Sequence, residues 1–132
     1  MTIKTAVIGL GIMGRRMAEH MELHSAFTVT TMWDPNPAAC AAAREVAPKA
    51  AVLDSASAAM ADVDLVYLAC PPVPRKAYAL EAAAAGKAVF LEKPLGVDIE
   101  ESRALVSELE AAGVPAAVNF TQAAGAALTD LI

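Results

Sequence analysis

Residues Val7–Gly14 read VIGLGIMG and set Gly9, Gly11 and Gly14 at the spacing G-x-G-x-x-G. After an apolar run, each glycine has a physical use. Gly9 allows a tight turn, Gly11 lets a pyrophosphate approach the backbone, and Gly14 lets a following helix pack close to a strand. A helix opening at Ile12 and Met13 offers free N–H groups and the positive end of its dipole to phosphate. Asp34 stands about 20 residues past Gly14, at the end of a second apolar run. Its carboxylate can accept both ribose hydroxyls of a dinucleotide and would repel a 2′-phosphate. That choice favours NAD, with NADP as the alternative. The bland reading is a turn followed by a helix-capping Asp before Pro35. Arg15 and Arg16 read as solvated residues of the first helix turn, or as groups near the adenine end that tolerate a phosphate.

Lys93 offers a second kind of chemistry. It follows Glu92 and precedes Pro94 at the end of the run KAVFLEK. A partly desolvated lysine there has a lowered pKa and can exchange a proton with a substrate hydroxyl. A surface lysine at a strand end fits the position equally well. The run VDLVYLAC ends at Cys70-Pro71-Pro72, a loop that would line the same crevice. His20 and His24 are four apart, a spacing that binds metal when both lie on one helical face. No third ligand is near, so a metal is not expected.

The elements that must position these residues follow from hydrophobic period. Lys4–Gly9, Phe27–Asp34, Ala50–Leu53, Val63–Cys70, KAVFLEK and Pro115–Phe120 read as six strands. Helical patterns lie between them. Met13, Met17 and Met21 recur at i, i+4 and i+8, which predicts a core stripe on the first helix. Pro37 suits the first position of the second helix. Asp54 or Ser55 can cap a short third helix. A helix over about Pro74–Ala85 ends before Gly86, which suits the left-handed position past a helix end. Asp98 and Glu101 form a capping-box-like pair, and Gly113 lies beyond that helix. A last helix is expected to run toward Ile132.

Strands alternating with helices predict an α/β fold, a doubly wound parallel sheet with helices on both faces. Such sheets bind ligands at the carboxyl ends of their strands. All 132 residues read as one compact domain.

Composition excludes several function classes. Hydrophobic residues make up 57% of the chain, which argues against disorder. The net charge of −5 argues against nucleic acid, which needs a basic surface. No apolar run reaches the roughly 18 residues of a membrane span. Cys40 and Cys70 lack metal-ligand spacing and read as reduced thiols in a cytoplasmic protein.

The stretches VIGLGIMG, WDPNP, LVYLACPP, ALEAAAAGKAVFLEKPLG and VNFTQ resemble, in order, those of the Gfo/Idh/MocA group of oxidoreductases, which includes glucose–fructose oxidoreductase and inositol dehydrogenase. The most specific is Glu92-Lys93-Pro94. The resemblance implies a six-stranded Rossmann domain that binds NAD(P), and a sugar, polyol or related hydroxy compound as small-molecule substrate. It also implies that Lys93 lies near the nicotinamide and the reacting hydroxyl, and that Cys70-Pro71-Pro72 lines the cofactor cleft.

The sequence departs from the family pattern. Arg75 occupies the place of a histidine found in many members, and Gln122-Ala123-Ala124 that of an arginine. Members continue into a substrate-binding, oligomer-forming domain. This chain therefore reads as their cofactor half, catalytically incomplete alone and prone to self-association through an uncovered face. Two alternatives stay open. One is a β-hydroxyacid dehydrogenase-like cofactor domain, which shares GLGxMGxxMA but lacks E-K-P. The other is a dinucleotide- or partner-binding module without catalysis.

Overall fold

A computed structural model describes residues 1–120; the helix expected toward Ile132 and the Gln122-Ala123-Ala124 segment lie outside the described residues. The strands are β1 (Ile3–Ile8), β2 (Phe27–Trp33), β3 (Ala51–Val52), β4 (Leu65–Leu68), β5 (Ala88–Glu92) and β6 (Ala116–Asn119). The helices are α1 (Ile12–Glu22), α2 (Pro37–Val46), α3 (Ala56–Met60), α4 (Pro72–Ala84) and α5 (Ile99–Ala112). All strand pairs are parallel, in the order β3-β2-β1-β4-β5-β6. The doubly wound sheet is therefore present, with its direction of winding reversing between β1 and β4. A crevice forms where the strand order reverses, because the loops after those two strands diverge to opposite faces.

Side-chain alternation along the central strands builds two cores. Ile8, Val66, Leu68, Val89 and Leu91 pack on one face with residues of α3, α4 and α5. Val7, Val29, Met32 and Tyr67 pack on the other with residues of α1 and α2. β4 is thus buried on both faces, which explains why its sequence is a continuous apolar run rather than an alternating one.

Several boundaries shift from their expected places. β1 ends at Ile8 because Gly9 turns out of the strand at φ +93°. β4 is only Leu65–Leu68, so Cys70 lies in the loop beyond it. α4 starts at Pro72, two residues early, since prolines at Pro72 and Pro74 sit in a first turn that needs no intrahelical N–H. Ser55, not Asp54, caps α3, accepting from Ala58 N–H at 3.0 Å. The inner face of α1 is Gly14, Ala18 and Met21. Met13 and Met17 are only half-buried, because Gly14 lets α1 approach the sheet along that line instead. Past α4, the Gly86 N–H bonds Ala83 O and the Lys87 N–H bonds Ala82 O, with Gly86 at φ +76°. At α5, Asp98 accepts from Glu101 N–H at 2.9 Å.

Candidate cofactor site

The glycine loop leaves β1 against the loop that leaves β4. A Cβ on Gly9 would lie 2.5 Å from Cys70 N, and one on Gly14 would lie 1.8 Å from Gly9 O. Both positions are closed to any side chain by backbone. Gly11 is different, since a Cβ there would meet no atom within 4 Å. Its missing side chain leaves space open in front of α1.

That space faces a helix end that, like the start of α4, has no side-chain cap. α2, α3 and α5 are capped by the side chains of Asn36, Ser55 and Asp98. α1 has no side-chain cap and no acid in its first turn. Its first N–H groups and its dipole are left for an external anion. The residues present therefore fit a dinucleotide pyrophosphate.

Asp34 follows β2 beside this loop. Its Oδ2 accepts from Leu10 N–H and its Oδ1 from Asn36 N–H, both at 2.7 Å. Each carboxylate oxygen keeps lone-pair capacity for a ribose hydroxyl. Arg15 is not simply solvated: its Nη1 donates to Leu10 O at 2.7 Å, so the loop's N–H and carbonyl are held from two sides. Arg16 is exposed.

A cleft of about 570 Å³ opens at the carboxyl ends of the strands, within the usual size range of small-molecule sites. Gly9, Gly11, Met13, Asp34, Cys70, Pro71, Pro72, Glu92, Lys93 and Pro94 line it. Ten of the twelve expected cofactor residues thus meet in one place. Gly14 lies buried beneath the loop, and Ile12 is exposed at the start of α1 without lining the cleft. Lys93 is exposed rather than partly desolvated, because it falls one residue past β5 and no described residue covers it.

The site also contains groups that the sequence reading did not single out for it. Trp33 and Tyr78 form an edge-to-face pair with centroids 6.1 Å apart, and both line the cleft. Arg75 is 2% exposed. Its guanidinium donates to Cys70 O from Nε and Nη2 at 3.1 and 2.7 Å. Nη1 donates to Glu92 O at 2.5 Å and also to Pro94 O. The i, i+3 spacing of Arg75 and Tyr78, one α4 turn past Pro72, is the signal that could have placed them together.

Buried polar groups flank the end of β5. Tyr67 Oη donates to Glu92 Oε2 at 2.6 Å, and Asn119 Nδ2 donates to the same oxygen at 3.0 Å. Glu92 Oε1 is buried without a partner. Burial first, then the Glu92 carboxylate, pushes the Tyr67 hydroxyl far above its ordinary value of 10.0. Burial pushes the Cys70 thiol above 9.0, opposed by Arg75. Burial pulls the Arg75 guanidinium below its ordinary value, opposed by Cys70 and Glu92. His20 and His24 do not form a helical pair, since α1 stops at Glu22 and His24 Nδ1 accepts from Ala26 N–H at 3.1 Å. Among the described residues no helix is long and apolar enough to cross a membrane.

Known proteins resemble this chain in sequence and fold. The chain is 36% identical over 117 residues to inositol 2-dehydrogenase of Paracoccus denitrificans, covering 86% of this chain and 35% of that protein. It is 40% identical over 99 residues to inositol 2-dehydrogenase of Acidiphilium cryptum, covering 72% and 30%. The crystal structure of the WlbA dehydrogenase from Bordetella pertussis in complex with NADH and UDP-GlcNAcA superposes with TM-score 0.89 at 25% identity, covering 99% of this chain and 41% of that one. The chain spans about a third of the length of the curated relatives it matches. The family model described as an oxidoreductase family with an NAD-binding Rossmann fold matches residues 3–120. With that match running from β1 through Glu92-Lys93-Pro94 to the end of β6, the chain belongs to the Gfo/Idh/MocA oxidoreductase family, and residues 3–120 form its NAD-binding Rossmann domain.

Proposed function

We propose that this domain serves an NAD-dependent dehydrogenase that oxidises a secondary hydroxyl of a sugar or cyclic polyol. One observation carries the reading. The uncapped end of α1, Asp34 and Lys93 all open into a single cleft at the reversal of the sheet. The free N–H groups of α1 hold the pyrophosphate, and Asp34 takes the ribose hydroxyls and disfavours a 2′-phosphate. Cys70, Pro71, Pro72 and Pro94 line the cleft beside them. When bound, NAD supplies the hydride acceptor. Lys93 is placed to exchange a proton at Nζ with the reacting hydroxyl as the substrate carbonyl forms. The inositol dehydrogenases among the relatives support a cyclic polyol as substrate class.

Two properties accompany this reading. Cys40 and Cys70 are both buried free thiols, which supports a reducing, cytoplasmic setting. Exposed Val73, Val97 and Ile99, on and beside the loops after β4 and β5, support self-association of the isolated domain.

The test is titration of the 132-residue chain with NADH and NADPH, followed by assay with NAD and a panel of polyols and sugars. NADH binding tighter than NADPH binding, with turnover far below ordinary enzyme rates, is the expected result. No dinucleotide binding would overturn the reading. Sustained turnover would show that these 132 residues suffice for catalysis.

A further inference from the structure

We propose that Arg75 is the positioning residue for Lys93: one buried guanidinium pins the backbone on both sides of that lysine and ties it to the loop after β4. The inference rests on the reading that Lys93 faces the bound cofactor.

The geometry is specific. The carbonyls of Glu92 and Pro94 immediately flank Lys93 in the chain, and both accept from Arg75 Nη1. The third carbonyl, Cys70 O, belongs to the loop after β4 and accepts from Nε and Nη2. No strand pairing could make this link, because β4 ends at Leu68 and β5 at Glu92. Beyond those residues both loops leave the sheet, and Arg75 bonds to each from the first turn of α4. Among the described residues the Lys93 side chain has no hydrogen-bond partner, and it is exposed. Its position is therefore set by its backbone, and its backbone is held by Arg75.

The residue type matters. A guanidinium presents five N–H donors in a rigid planar fork, and three of its nitrogens are used here. A lysine ammonium at the end of a flexible stem could not reach all three carbonyls in one geometry. Nor could a neutral imidazole, which has one N–H donor. Burying a cation is costly unless it is well bonded. The carbonyls satisfy the donors, and the nearby Glu92 carboxylate offsets the charge, raising the Arg75 pKa against the effect of burial. Removal would leave buried carbonyls unpaired at the point where Lys93 must be held.

The experiment reads lysine acylation by an amine-directed reagent in the whole 132-residue chain, with and without saturating NADH, by peptide mass spectrometry. Lys87 precedes β5 at the opposite end of that strand and serves as internal control. In the wild type, NADH slows acylation of Lys93 and not of Lys87. Arg75→Lys keeps the positive charge and most of the volume, yet lowers that protection by about tenfold, the order of one lost charge-assisted hydrogen bond. Arg75→Ala loses it further, and added ethylguanidinium restores it. A folded Arg75→Lys variant in which NADH protects Lys93 as in the wild type would overturn the clamp alone. A wild type in which NADH leaves Lys93 unprotected would overturn the reading of the site, and the clamp with it.

Discussion

Asp34 Oδ2 accepts a hydrogen bond from the Leu10 backbone N–H at 2.7 Å, so the acid after β2 also holds the glycine loop after β1. Its two proposed tasks cannot be separated by simple truncation. Asp34→Ala removes the ribose acceptor and frees the loop together. NADH affinity should fall roughly 10- to 100-fold, the equivalent of one or two hydrogen bonds to a charged group. NADPH affinity should not rise to the wild-type NADH level, although repulsion of the 2′-phosphate is gone. Calorimetry with both cofactors checks this, and a wild-type domain that prefers NADPH would contradict the assignment.

Gly11 and Gly14 should respond in opposite ways. A side chain at Gly11 enters open space. Gly11→Val should therefore leave thermal stability near the wild-type value while abolishing NADH binding. At Gly14 the added Cβ meets Gly9 O. Gly14→Ala should cost roughly 1–3 kcal/mol or more, as overpacking does. Denaturant unfolding of both variants, beside an NADH titration of the first, makes the comparison. Unchanged NADH affinity in Gly11→Val would reduce the loop to a turn.

Lys93→Met should lower turnover roughly 10²–10⁴-fold in a form of the protein that oxidises polyol, the range for loss of a general acid or base. Binding of NADH should change little. Steady-state kinetics with a direct binding measurement separates the two effects. Near-normal turnover would make Lys93 a structural residue.

Tyr67 links pH to stability. Its folded pKa lies far above the ordinary 10.0 through burial, so its neutral form is favoured by folding. The stabilisation is complete below pH 10 and declines above it, because the unfolded chain then loses the tyrosine proton while the folded chain keeps it. Each pH unit above 10 should cost up to about 1.4 kcal/mol. Cys70 acts with the same sign from about its ordinary 9.0 upward. Tyr67→Phe should thus flatten, not abolish, the alkaline loss of stability. It should also cost roughly 1–3 kcal/mol at neutral pH by leaving Glu92 with fewer donors. Thermal melts from pH 7 to 11 test both statements.

What the sequence by itself determined was everything that depends on near neighbours in the chain. The alternation of apolar runs with helical periods set the number and order of strands, because burial of one face or both is written in residue spacing. Gly9, Gly11, Gly14 and Asp34 were legible because the turn, the helix start and the end of β2 lie at short fixed distances along the chain. Asp98 and Gly113 were legible as helix ends for the same reason. Arg75 was not, since its partners Cys70, Glu92 and Pro94 lie at and beyond the ends of two strands that meet only after the sheet has formed. The Tyr67, Glu92 and Asn119 bonds likewise join three separate strands. Only the tertiary structure decided that Met13 faces the cleft instead of the core, because the side of α1 that meets the sheet is chosen by the contact of Gly14 with Gly9. Local pattern specifies which elements form; the buried polar bonds that aim the site arise from strand order, which brings distant residues within hydrogen-bond reach.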